Sequence, residues 1–119
     1  MIVDLLHRND LLELKQEVES LEDKNWVEVG KVSQVGIYGL RSEVHLSKWK
    51  EIMVLLVYSG SVIGSMIAPM SSFNNYPITV NAPIDSTFKQ RLVKLVKISD
   101  NSIQVDTFKN LTQIHIYVR

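Results

Sequence analysis

The chain has no cysteine among its 119 residues, which removes disulfides, thiolate metal sites and cysteine nucleophiles at once. It also has no net charge. Thirteen basic and thirteen acidic residues cancel, so the electrostatic footprint of a nucleic-acid or anionic-membrane binder is missing. Long apolar runs are missing too. The longest, Ile52 to Val57, is far short of the roughly 20 residues a membrane-spanning helix requires. Met1 is followed by IVDLLHRND, which lacks a basic leader and an apolar core, so no signal peptide is expected and synthesis is expected in the cytoplasm. The sequon Asn110-Leu111-Thr112 is then a chance match. No internal repeat or low-complexity tract occurs. The 45% hydrophobic content is that of an ordinary folded chain.

What the chain does have begins at Asn9 to Asn25, NDLLELKQEVESLEDKN. Leu11, Leu14, Val18 and Leu21 are spaced 3-4-3 and fall on one helical seam as a, d, a, d. Asn9 suits an N-cap, and Asp10 and Glu13 suit the positive end of the helix dipole. Glu13, Lys15, Glu17, Glu19 and Glu22 keep the opposite side charged, and Asn25 suits the stop. A seam restricted to a and d predicts a coiled-coil stalk, expected as a homotrimer. The competing reading folds the same helix back onto the rest of its own chain. Two heptads are marginal for helix nucleation, so a stalk this short needs the following module to share the interface. Residues 1–8 break the register by putting Asp4 and His7 in the seam; they read as a short strand, a separate helical turn or an attachment segment that orders on a partner, the last being the expectation taken forward.

From Trp26 the period changes to two. WVEVGKV and VGIYGL read as strands, and Ser47 reads as the cap of a helical turn that points Trp49 inward. EIMVLLVY is apolar on both faces and, ended by Ser59-Gly60, reads as a fully buried strand. VIGSMIA returns antiparallel as far as Pro69, Met70 to Asn75 reads as a loop, and YPITV as an edge strand. FKQRLVKLVKIS and SIQVDTF flank Asp100-Asn101, whose residue types tolerate φ > 0 and suit a tight hairpin. In the closing TQIHIYVR, Ile114, Ile116 and Val118 face one side, while His115, Tyr117 and Arg119 face the other. The expected fold is mainly β: an antiparallel sandwich of seven or eight strands over 26–119, preceded by a short N-terminal coiled-coil helix over 9–25.

Signals for chemistry are weak, and the chain is expected not to be an enzyme. His7, His45 and His115 lie far apart, with no second histidine at metal-ligand spacing, so no metal or cofactor is expected. There is no GxSxG elbow, and GSVIGS lacks the lysine of a phosphate loop. Asp100, Asn101 and Asp106 lack the alternating oxygen ligands of a calcium loop. Asp85 with Lys89 or Arg91 reads as a solvated strand face. Lys89, Arg91, Lys94 and Lys97 are basic but have no accompanying row of aromatics, so no nucleic-acid partner is expected. Two binding surfaces are more plausible. Asn74-Asn75-Tyr76 combines amides with an aromatic ring, the groups that grip sugar hydroxyls and ring faces. His115, Tyr117 and Arg119 form a polar-aromatic stripe suited to a ligand or to a neighbouring subunit.

A short heptad stalk followed by a small all-β domain resembles the fibre and receptor-binding proteins of tailed bacteriophages. LSKWKEIMVLLVYSGSVIGSMIAP, STFKQRLVKLVKISDNSIQV and the ending TQIHIYVR look like the terminal β-sandwich heads of such fibres, a likeness covering roughly residues 45–119. It is a pattern of segments, not a motif with fixed functional residues, and so carries no site. The resemblance implies trimers on a virion, with host-surface saccharide as a common ligand. Heads of that kind usually end long fibres, whereas here only eight residues precede the heptads. Either residues 1–8 dock onto another virion protein, such as a capsid or baseplate subunit, or the chain is a fragment. The alternative function is a cellular protein-interaction domain whose helix packs on its own β domain.

Overall fold

The run EIMVLLVY forms the strand on which the rest is built. In the computed structural model, which describes residues 25–40 and 44–119, it spans Glu51–Tyr58 and every residue from Ile52 to Val57 is buried. The attachment segment 1–8 and the seam of Leu11, Leu14, Val18 and Leu21 lie outside the described residues.

In chain order the elements are β1 (Val27–Val32), β2 (Gly36–Gly39), a 3-10 turn (Leu46–Lys48), β3 (Glu51–Tyr58) and β4 (Ser61–Pro69). There follow the helix α1 (Met70–Asn75), β5 (Ile78–Asn81), β6 (Leu92–Ser99), β7 (Ser102–Lys109) and β8 (Gln113–Val118). The eight strands make two four-stranded antiparallel sheets, ordered β1-β8-β3-β4 and β2-β7-β6-β5. The fold is thus the mainly β sandwich that the alternating segments call for.

The core lies between the sheets. Ile52, Val54 and Leu56 of β3, Ile114, Ile116 and Val118 of β8, and Val29 and Val32 of β1 meet Val93, Leu95, Ile103, Val105, Ile78 and Val80. Period-two alternation brings these to the inner faces, except that Val29 and Val32, three residues apart, share the inner side through the register irregularity between Glu28 and Gly30. β1 and β2 follow each other in sequence but enter different sheets. β1 pairs with the last strand, β8, and β2 with β7, so the short link between them crosses from one layer to the other. Gly64 sits where β4 comes close to the second sheet. A Cβ there would stand 3.4 Å from the Asn81 carbonyl oxygen and 3.4 Å from Leu56 Cδ1, at the close edge of ordinary contact.

Three local readings change. Met70–Asn75, expected as a loop, forms the short α1, because Met70 and Phe73 at i and i+3 both reach the core. The turn around Ser47 is 3-10, its N-cap is His45, and the Ser47 amide donates to Asp100 Oδ1 at 2.7 Å. Left-handed residues form the β3–β4 turn, at Ser59 (φ 51°) and Gly60 (φ 84°), while Asp100 and Asn101 turn without positive φ. The β6–β7 register shifts between Lys97 and Ser99, which absorbs the twist in another way.

Leu56 has no exposed surface, whereas Ile37 on the edge strand β2 is 66% exposed. Leu56→Ala is therefore expected to cost about 2–5 kcal/mol in urea unfolding. Ile37→Ser, by contrast, should change stability by about 0.5 kcal/mol or less.

Candidate functional site

The outward faces of the two sheets differ in chemistry. With Val93, Leu95, Ile103, Val105 and Val80 pointing inward, the alternate residues Lys94, Val96, Gln104 and Thr79 point out, and Lys94 pairs with Asp106 at 3.8 Å. That is a solvated face. On the other sheet the outward row is Met53, Leu55 and Val57 from β3 beside Tyr117 and His115 from β8, with Met53 opposite Tyr117 and Leu55 opposite His115. Exposure is 4% or less at all five. Trp26, immediately before β1, joins Met53, Leu55 and Tyr117 in a second apolar cluster, and Val62 packs against it.

The stripe of His115, Tyr117 and Arg119 is therefore not an open polar surface. His115 and Tyr117 are buried, and Arg119 alone is exposed. The Arg119 guanidinium donates to Glu51 Oε1 from Nη2 at 2.9 Å and from Nε at 3.2 Å, and it lies 4.3 Å from the Trp26 ring centre. This closes the end of the face where the described chain begins. On the β1 side Glu28 lies opposite Tyr117 and Lys31 opposite His115, with Glu28 and Lys31 3.8 Å apart. His115 Nε2 pairs with Gln113 Oε1 at 2.9 Å, and its Nδ1 has no partner among the described residues. Burial first, then the Lys31 ammonium, pulls the His115 pKa below its ordinary value, while Glu28 pulls the other way.

Asn74, Asn75 and Tyr76 lie on or just after α1, at the same end of the sandwich. Asn74 Oδ1 accepts from Lys97 Nζ at 2.6 Å, and Asn75 Nδ2 donates to the Ser71 carbonyl at 3.0 Å. Both amides are thus engaged in holding α1, and Tyr76, 72% exposed, presents the open ring. Lys97 also stands 3.6 Å from Asp100 Oδ1, and His45 Nδ1 stands 3.4 Å from Asp100 Oδ2. Asp100 is held below the usual carboxylate range chiefly by the Ser47 backbone N–H, then by the Ser47 hydroxyl. This cluster ties α1, the 3-10 turn and the β6–β7 turn together. Because Ser47 bonds to Asp100 and not to His45, the trio is not a nucleophile with its base.

The opposite end, where β3 finishes at Tyr58, carries a grouping that sequence reading missed. The Arg91 guanidinium lies 4.0 Å from the Phe88 ring centre and 4.5 Å from that of Tyr58. The two rings meet edge-on at 5.4 Å and 69°. Asp85 Oδ1 accepts the Thr87 and Phe88 amides at 2.8 and 2.7 Å, and these bonds, Phe88 first, lower its pKa. Asp85 is a turn-former here, not an acid–base partner of Arg91. Only the Phe88-x-x-Arg91 spacing hinted at the stack.

The basic residues are dispersed: Arg91 to these rings, Lys94 to Asp106, and Lys97 to Asn74 and Asp100. Among the described residues no group of three histidine, aspartate or glutamate side chains is arranged to hold a metal ion. No described helix is long and apolar enough to cross a membrane.

A histidine whose folded pKa is depressed below 6.5 destabilises the fold as pH falls through 6.5, because the unfolded chain takes up the proton first. Thermal scans from pH 7.5 to 5 are expected to show a falling melting temperature, and His115→Gln should flatten that slope.

No protein-family model matches the chain, and neither a curated protein nor a solved structure matches it.

Proposed function

We propose that the protein is a non-enzymatic structural module of a bacteriophage virion, of the fibre or receptor-binding kind, that works as a homotrimer. The observation that carries this reading is the polarity of the sandwich. Residues 1–24 lead into it at one end, where Trp26, Arg119 and Glu51 meet. The turns at Ser59-Gly60 and the loop around Asp85 lie at the other. A head held from one end and free to touch a ligand with the other has this layout, and the likeness of residues 45–119 to phage fibre heads supports the same reading.

In this reading residues 1–8 contact another virion protein, and the free loops reach host-surface saccharide. Tyr58, Phe88 and Arg91 sit on the ligand side. Tyr76 lies on the attachment side, which makes the Asn74-Asn75-Tyr76 group the weaker sugar site of the two.

Light scattering on the size-exclusion peak is expected to give three times the 13.6 kDa chain mass. A clean monomer at micromolar concentration would overturn the trimer. Binding on a glycan array that is lost in Arg91→Ala and kept in Tyr76→Ala would place saccharide at the far loops.

A further inference from the structure

Both arginines among the described residues lie against aromatic rings, and one of them lacks an acid. Arg119 stands over Trp26 and donates to Glu51 Oε1 from Nη2 at 2.9 Å and from Nε at 3.2 Å. Arg91 lies 4.0 Å from the Phe88 ring centre and 4.5 Å from that of Tyr58. Its Nε is buried without an acceptor, and its guanidinium makes no ion pair among the described residues. A guanidinium is a rigid fork of N–H donors whose natural partner is a carboxylate, held by two parallel hydrogen bonds. Rings against its faces fix its plane and leave the in-plane edge for that partner.

The surroundings favour an anion. Lys89 is exposed on the same loop, and Lys109 reaches it by donating to Gln90 Oε1 at 2.9 Å. Neither lysine has an acidic partner among the described residues. Asp85 is the one acid between Ala82 and Leu92, and its Oδ1 is taken by the Thr87 and Phe88 amides. The chain as a whole is neutral, so this end holds a local excess of positive charge.

The group is also fixed before any ligand arrives. The Asp85 amide donates to the Phe88 carbonyl at 3.0 Å, and the Ala82 amide to the Arg91 carbonyl at 2.8 Å. Tyr58 leaves the end of β3, a strand buried along its length. Little ordering is left for binding to cost. Tyr58, Phe88 and Arg91 are half-buried, not sealed, and Ser86 and Thr87 on the adjoining turn are exposed. A half-open ring and two hydroxyls beside a fixed guanidinium suit a carboxylated sugar better than a bare inorganic anion, which would leave the ring unused.

We propose that Arg91 receives the carboxylate of an acidic saccharide, of the uronic-acid class, with the sugar ring set against Tyr58. This rests on the reading that the far loops meet saccharide, and narrows it to charged sugar units.

The test is a titration of the isotope-labelled full-length chain with sodium glucuronate, glucose, sodium acetate and inorganic phosphate, followed by nuclear magnetic resonance. Glucuronate is expected to shift the Arg91 Nε–H and the Thr87 and Phe88 amides with a Kd of about 1–10 mM, at least about tenfold tighter than the other three. Arg91→Lys, which keeps the charge but loses the fork, should weaken glucuronate about tenfold, and Arg91→Gln should abolish its binding. The dispersion of each variant's spectrum reports whether it folds, and the titration of the unsubstituted chain decides by itself if neither does. No shift at Arg91 with glucuronate overturns the proposal, as does an equal response to glucose, acetate or phosphate. Neutral glycans bound at these loops without glucuronate would also overturn it, while the saccharide reading stands. Glucuronate bound by a chain that light scattering shows to be a monomer supports it, while the trimer falls.

Discussion

A β-strand buried on both faces needs two covers, and β3 is such a strand. One cover is the facing sheet, which takes Ile52, Val54 and Leu56. The other must seal Met53, Leu55 and Val57, which alternate with them. Everything distinctive about this small protein follows from that second requirement. It makes the outward side of β1-β8-β3-β4 apolar where the outward side of β2-β7-β6-β5 is polar, and it draws Trp26 into the apolar cluster of Met53, Leu55 and Tyr117.

The same constraint gives His115 its character. It stands opposite Leu55 on the sealed side of β8, where its ring is partly satisfied by Gln113 and lies near Lys31 and Glu28. A solvent-facing histidine at this position would be an unremarkable polar residue of an edge-to-edge stripe. Buried as it is, it becomes a base that resists protonation. At the margins of the face, charge is handled by pairing: Arg119 with Glu51 and the Trp26 ring, Glu28 with Lys31. The two ends of the sandwich are likewise different. One is tied together by Asp100, Lys97, Asn74 and Ser47, and the other by the Arg91 stack on Tyr58 and Phe88.

The strands were legible in the sequence because length, β-branched residues and flanking turns reinforce their patterns. EIMVLLVY, the hairpin around Asp100-Asn101 and the alternation in QIHIYV all appear where the periodicity puts them. What the pattern did not carry was the third dimension. Nothing local in WVEVGKVSQVGIYGL says that its two strands part into different sheets, since that depends on β1 finding β8. MSSFNN lacks a helical run long enough to be recognised, yet two core contacts suffice to wind one turn. The burial of the polar-aromatic stripe was hidden for a related reason. Alternation tells which residues share a face, but not whether that face meets water, and Tyr117 with His115 looked outward only in the plane of one sheet. The Arg91 stack is assembled by loops, whose geometry is set by backbone bonds such as those to Asp85.

The double burial of β3 is tested most directly by native-state hydrogen exchange. The amides of Met53 to Val57 are expected to be among the slowest to exchange, well behind those of edge strand β2, where Ile37 is exposed. Exchange at Met53 to Val57 as fast as at Ile37 would contradict a strand sealed on both sides.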